Sequence, residues 1–395
     1  MAGVQTAVAL REQGFTGPVT LIGAEPHQPY DRPPLSKAVL LGTAEGSALD
    51  VDFAALGIDL QLGREVSGLR PAEHELDTPE GPVPYDVLVI ATGAEPVPLP
   101  GAEGVPGVHL LRTLDDAERL RPVLERKHDV VVVGAGWIGA EFATAARGAG
   151  CAVTVVEAAD RPLAGALPAE VAAPMARWYA ESGAELITNA RVTAVEPGAV
   201  VLAEGTGAVR RLAAGAVVVG IGARPATRWL DGSGIVLGED GSITADAGLR
   251  TSLPDVFAVG DCASFPSARY GERLLVHHWD NALQGPRTVA ANVIAAAEGE
   301  TLRTYDPVPY FWSEQFGRFV QYAGHHAGAG TLVHRGDPGG ATWSAVWLRD
   351  GVLVALLAVG RPRDLAQGRK LIEVGAHIDP ERAADPSVAL KAAAL

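Results

Sequence analysis

Cysteine is nearly missing from this chain of 395 residues: there are two, Cys151 and Cys262, far apart. That excludes a disulfide-stapled scaffold, and neither cysteine belongs to a CxxC redox pair or a metal-ligand cluster. The ten histidines, His277 and His278 among them, show no ligand spacing either, so no metal is expected. Long apolar runs are also missing. Nothing approaches the roughly 18 uninterrupted apolar residues of a membrane span, and the first residues lack the basic-then-apolar layout of a signal peptide. Positive charge is scarce, 32 Lys and Arg against 47 Asp and Glu, for a net charge of −15. This disfavours nucleic acid as a partner, and an acidic protein partner would need a local basic patch. A reducing cytoplasm is the expected compartment, with no membrane association.

What is present is an alternation of helix-like and strand-like segments. Apolar residues make up 48% and charged residues 20%, enough for sizeable cores, and the length suggests two or three domains. MAGVQTAVALREQGF reads as a helix from Ala2 to Gln13 closed by Gly14, and PVTLIG as a buried strand from Val19 to Ile22. A helix leading straight into a buried strand is the second half of a βαβ unit. The first stretch runs to about Thr113 and ends in the strand YDVLVIATG and a Pro/Gly-rich link. The second opens with DDAERLRPVLERK, continues through VVVVGAGWIGAEFATAARGAGCAVTVVE and closes with AVVVGIGARP. Both end in an apolar strand, a small residue and glycine, which indicates duplication of a whole nucleotide-binding unit. A third segment, about 236–305, holds SLPDVFAVGDCA and a helix-like NALQGPRTVAANVIAAAEG. After Pro307 apolar and polar residues alternate with GD and DG turns, predicting a small antiparallel sheet. Arg363 to Ile378 is expected to be helical.

Gly134-Ala135-Gly136-Trp137-Ile138-Gly139 follows four valines and enters a helix. The first glycine permits a tight turn, the second lets a pyrophosphate approach the backbone, and the third lets helix and strand pack closely. The helix N-terminus presents free N–H groups to the phosphates. Glu157 closes the next strand, where the acidic residue that accepts from a ribose 2′-hydroxyl belongs, about 20 residues on. A carboxylate there favours NADH over NADPH, and Arg161 nearby tempers that preference. An ordinary glycine-rich turn is the competing reading.

The markers PYDRPPLSK (29–37), VIATGAEP (89–96), LRTLDDA (111–117), GAGWIGAE (134–141), GIGARP (220–225), DVFAVGDCA (255–263), HHWDNAL (277–283) and PYFWSEQFG (309–317) together identify a resemblance. The chain resembles the FAD-dependent, NADH-linked ferredoxin reductases of oxygenase and cytochrome P450 electron-transfer chains, the putidaredoxin-reductase-like group. The resemblance implies an α/β chain with two Rossmann-like dinucleotide-binding domains in the glutathione-reductase-like arrangement, plus a C-terminal α+β domain. The expected domains are 1–113 with 236–305 for FAD, 114–235 for NADH, and 306–395 as a C-terminal interface domain. Gly3 aligns with Gly139 as the last glycine of a first loop. The preceding strand and two glycines would then lie upstream of Met1, so the first strand of the FAD domain is expected to be missing here. A start placed too far downstream and a degenerate reductase both remain open.

The resemblance also implies roles. Lys37 would lie near flavin N5, where a cation favours reduced flavin, with Glu141 as its partner. Asp261 and Gly260 would meet the flavin ribityl chain, Ala91, Thr92 and Gly93 would form a second close turn, and Trp279 would pack by the flavin ring. Asp261 is also a candidate helix N-cap. Arg112, Val66, Glu25, Arg32 and Gly3 complete the FAD candidates. Gly134, Gly136, Trp137, Ile138, Gly139, Glu157 and Gly222 are the NADH candidates. Thiol-dependent relatives place a redox cysteine on the segment facing the flavin. Here it reads PLSKAVL, with Ser36 and no sulfur, and both cysteines read as packing. The implied activity is hydride transfer from NADH to FAD, then single electrons to a two-iron ferredoxin. Such a partner is acidic, and Arg361, Arg363, Arg369 and Lys370 are the densest basic group that would dock it. A solvated helix face explains them equally well. Reduction of rubredoxin, a quinone or monodehydroascorbate is the alternative within flavoenzymes. An FAD-free NADH-binding protein is the alternative outside them.

Overall fold

The computed structural model describes residues 1–205 and 207–395. The chain divides into two units: 1–31, 48–95 and 223–309 form the first, and 32–47, 96–222 and 310–395 the second.

The first unit begins in a helix, Ala2–Glu12. Its small and aliphatic residues bury one face: Val4 and Ala7 pack with Phe53 and Ile58, and Val19 and Leu21 close over them. Gly14, at φ 88°, ends the helix as its sequence suggests. The strand Val19–Gly23 follows and pairs in parallel with Ile58–Leu62, Val19 opposite Ile58. A second parallel ladder joins Leu88–Ile90 to Val256–Ala258 and stands as a separate two-stranded sheet. The helix Trp279–Glu298 lies against Ala2–Glu12 and closes at Gly299 in the left-handed region.

The second unit contains a five-stranded parallel sheet in the order Glu185–Ile187, Val153–Val156, Val130–Val133, Ala216–Val219, Val108–His109. All four residues of Val130–Val133 are buried, so the run of valines is what a strand covered on both faces requires. Trp137–Ala149 follows the glycine loop. Leu114–Glu125 starts at a capping box in which Thr113 and Asp116 satisfy each other's backbone N–H groups. The unit also holds a five-stranded antiparallel sheet in the order Tyr310–Gln315, Arg318–Gly324, Val352–Val359, Trp343–Arg349, Thr331–Arg335. The helix Pro362–Glu373 packs on Val352–Val359.

Two local expectations are corrected. No helix starts at Asp261; a turn leads into the strand Ala263–Ser267, which pairs with Glu272–Leu275. The C-terminal helix does not reach Ile378. It stops at Glu373, Gly375 takes φ 63°, and His377 bridges to Val352.

Candidate functional site

In the second unit the glycine loop is built by three different constraints. Gly134 has φ 100°, and a Cβ there would sit 2.4 Å from the Gly220 carbonyl oxygen. A Cβ on Gly139 would sit 2.1 Å from the Gly134 carbonyl oxygen. Both positions are closed by backbone. Gly136 differs: its nearest neighbour would be the Gly220 oxygen at 3.8 Å. Space above the second glycine, beside the N-terminus of a helix 13 residues long, is what a pyrophosphate requires, so the residues present fit a dinucleotide.

Glu157 serves this loop directly. Its Oε2 accepts from the Ala135 N–H at 2.8 Å and its Oε1 from the Ala159 N–H at 2.8 Å. The Ala135 carbonyl in turn accepts from Leu163 N–H. The carboxylate is thereby aimed along the loop, with lone pairs left for ribose hydroxyls. Arg161 is engaged with Asp160 at 2.7 Å. Ile138 is exposed, Gly222 at φ 124° receives the Val97 N–H, and the Trp137 ring meets Phe311 edge-on at 4.6 Å.

A polar cluster surrounds Glu141, on the second turn of the same helix. Lys37 Nζ lies 2.6 Å from Glu141 Oε2, with the lysine 23% and the glutamate 6% exposed. The segment Pro33–Ser36 is a 3-10 turn with two prolines at its start, which stiffens the approach of Lys37. Ser36 Oγ donates to the same oxygen at 2.6 Å, and Ser313 Oγ donates to Oε1 at 2.9 Å. Arg32 reaches the Arg112 carbonyl at 2.7 Å, while the Arg112 N–H is held by Asp116.

In the first unit, Gly3 packs helix to strand, since a Cβ there would lie 3.1 Å from Leu21 and 3.6 Å from Ala91. Gly260 takes φ 82° and abuts Ala2. Thr92 Oγ1 donates to the Ala226 carbonyl at 2.8 Å, and Gly93 takes φ 70°. Glu25 Oε2 accepts from the Tyr30 hydroxyl, and the Glu25 carbonyl receives the Gly63 N–H. Val66 packs against the apolar cluster of Leu69, Leu76 and Ile90, leaving its main chain as the polar contact it offers. Trp279 opens its helix and donates Nε1–H to Asp31 at 2.8 Å. Asp261 follows Gly260 on an ordered turn, and burial pushes the neighbouring His278 imidazole down to about 4, opposed by Asp261. His278 is thus neutral at physiological pH. Carboxylates at 25 and 261 are acceptors suited to flavin ribose and ribityl hydroxyls.

Both cysteines are fully buried. Burial raises both thiols, and the Cys262 sulfur points at the Ile90 and Val259 carbonyls. Among the described residues no group of three or more metal-ligating side chains forms, and no helix is long and apolar enough to cross a membrane.

The basic segment is divided in its engagements. Arg361 pairs with Asp364 at 2.6 Å, and Arg369 pairs with Glu373 and lies over the Tyr310 ring at 5.3 Å. Arg363 and Lys370 are exposed, one heptad apart on one helix. Sequence reasoning missed Ser36 and Ser313 as Glu141 partners, Asp31 as the Trp279 partner and Tyr30 as the Glu25 partner. All lie inside the quoted motifs or beside them, so the motifs carried the signal without the pairing.

Residues 1–286 match the family described as pyridine nucleotide-disulphide oxidoreductase, and residues 310–394 match the Reductase C-terminal domain. The chain belongs to the pyridine nucleotide-disulphide oxidoreductase family. Rhodocoxin reductase of Rhodococcus erythropolis is 37% identical, over 99% of this chain and 92% of that protein. The ferredoxin–NAD(+) reductase component of the anthranilate 1,2-dioxygenase system of Burkholderia cepacia is 37% identical, over 99% and 96%. Among solved structures, the covalent putidaredoxin reductase–putidaredoxin complex is similar with a TM-score of 0.90 at 31% identity, covering 99% of this chain and 95% of that one.

Proposed function

We propose that this chain is an NADH-dependent ferredoxin reductase, carrying FAD and serving an oxygenase or a cytochrome P450 from a reducing cytoplasm. The observation that carries this reading is the full-length likeness to named ferredoxin reductases, C-terminal domain included. FAD, when bound, converts a two-electron hydride donor into single-electron steps.

The chain's own residues do the rest. The loop Gly134–Gly139 binds the NADH pyrophosphate through backbone N–H groups, with Trp137, Ile138 and Gly222 lining the same cofactor. Glu157 accepts from the adenosine ribose and repels a 2′-phosphate. Gly3, Glu25, Arg32, Val66, Ala91, Thr92, Gly93, Arg112, Gly260, Asp261 and Trp279 hold FAD. Lys37 supplies the cation that favours reduced flavin, and Glu141 holds Lys37 in place. Ser36 stands where thiol-dependent relatives carry sulfur, so no cysteine relay is used. Arg363 and Lys370, with Arg361 and Arg369, attract an acidic two-iron ferredoxin.

The test is anaerobic addition of NADH to the flavin-loaded protein, followed by cytochrome c reduction with and without a two-iron ferredoxin. Bleaching of the visible flavin bands and ferredoxin-dependent cytochrome c reduction are expected. A protein that binds NADH without bleaching, or reduces cytochrome c equally well without ferredoxin, overturns the proposal.

A further inference from the structure

The Glu141 carboxylate receives more donors than an ion pair needs. Lys37 and Ser36 occupy Oε2, each at 2.6 Å, and Ser313 holds Oε1 at 2.9 Å. Ser313 is 1% exposed. Behind it, the buried Gln315 donates Nε2–H to Ser313 Oγ at 3.1 Å. An amide donor on the hydroxyl oxygen leaves the single Ser313 O–H directed at Glu141. The serine backbone is fixed too, because Tyr310–Gln315 is a paired strand with Ser313 opposite Val320. Alternation along that strand turns Ser313 and Gln315 inward while Glu314 is exposed.

A carboxylate held at one oxygen can still turn about its terminal torsion, which is broad. Holding both oxygens fixes its plane. Lys37 depends on that plane: its other acceptors, Ser36 Oγ and the Pro33 carbonyl, lie at 3.3 Å, against 2.6 Å to Glu141.

We propose that Ser313, oriented by Gln315, is a positioning residue for flavin reduction: it locks the Glu141 carboxylate and through it the Lys37 ammonium. This rests on the flavin role given to Lys37 in the proposed function. The C-terminal segment then contributes to hydride transfer mainly through the Ser313 hydroxyl, the Glu314 N–H being a longer contact to the same Oε1 at 3.4 Å.

The test compares the flavin-loaded full chain with its S313A and S313T variants. Three quantities are read: the limiting rate and NADH dissociation constant of anaerobic reduction, the flavin midpoint potential, and the melting temperature. Loss of one hydrogen bond to a charged group predicts a limiting rate about three- to tenfold lower in S313A. The NADH dissociation constant stays within about twofold, because the loop contacts are intact. The flavin midpoint potential falls, and S313T restores both rate and potential. S313A matching the parent in rate and potential overturns the inference. So does a lower rate in both variants at unchanged potential, in step with their melting temperatures, because that is a packing defect. If the parent itself is not bleached by NADH, the proposed function fails, and this is seen before any variant is compared.

Discussion

Lys37 Nζ lies 2.6 Å from Glu141 Oε2 across 104 positions of sequence. The glutamate is almost fully buried, so its charge is tolerated because four groups face it: Lys37, Ser36, Ser313 and the Glu314 N–H. Removing one partner of such a pair leaves an uncompensated charge, whereas replacing both with apolar groups relieves it. K37M and E141M are each expected to lower stability by about 1–3 kcal/mol, and K37M/E141M to recover part of that loss. NADH-driven flavin reduction stays slow in all three. Thermal melts in a double-mutant cycle, with stopped-flow reduction, check this.

The glycine loop separates folding from binding. A Cβ at Gly139 collides with the Gly134 carbonyl at 2.1 Å, and a Cβ at Gly136 meets nothing nearer than 3.8 Å. G139A is therefore expected to destabilise the second unit by about 2 kcal/mol or more. G136A should melt like the parent yet raise the NADH dissociation constant about tenfold or more, because its methyl group occupies the pyrophosphate's approach. Melting curves and NADH fluorescence titration distinguish the two. Normal NADH binding by G136A would place the pyrophosphate elsewhere.

Asp364 holds the C-terminal tail through Arg335, which is wholly buried and also donates to the carbonyls of Ala383, Asp385 and Val388. Burial alone would raise the Asp364 carboxyl. Hydrogen bonds from Arg335, Ser344 and Arg361 outweigh it and hold the group below its ordinary 3.8. A depressed folded-state value contributes stability above the unfolded value that is lost as pH falls through the folded one. D364N is expected to cost about 3 kcal/mol at pH 7. The gap between D364N and the parent should close as pH drops below about 4, in melts run from pH 7 to pH 3. A gap independent of pH would show that the charge is not what stabilises the tail.

Of the four basic residues, Arg363 and Lys370 are exposed and, among the described residues, have no ion pair to match those of Arg361 and Arg369. R363E/K370E is expected to raise the KM for ferredoxin about tenfold at low ionic strength. The difference should shrink toward molar salt, where the screening length falls to about 3 Å. Flavin reduction by NADH alone is unchanged in the same variant. An unaltered ferredoxin KM would identify this face as solvated surface.

Local order was legible in the sequence because it is set by near neighbours. The helix at Ala2, a strand at Val19 and the strand–glycine–helix order at Val130 all appear where periodicity and glycine place them, although the strand at Val19, expected to be buried, is only partly so, with Thr20 exposed. Asp261 shows the limit of such reasoning. A carboxylate after a glycine suits an N-cap, yet the chain continues as a strand because Ala263–Ser267 pairs with Ile243–Thr244 on one side and Glu272–Leu275 on the other. Ladder pairing outweighed the local preference. The over-long C-terminal helix has a similar cause: Val374-Gly375 supports a turn, and the bridge from His377 to Val352 takes the chain away.

The amino-acid sequence by itself determined the class of chemistry. The GAGWIG loop with its strand, helix and Glu157, the lack of a thiol beside Lys37, and the scarcity of positive charge are all properties of neighbours along the chain or of composition. Only the tertiary structure decided which distant groups share one buried charge. Glu141 is fastened by Lys37 and Ser36 from one segment and Ser313 from another, and Asp364 by Arg335. A charge removed from water must be met by whatever donors the packing brings within about 3 Å, and no spacing along the chain encodes which donors those will be.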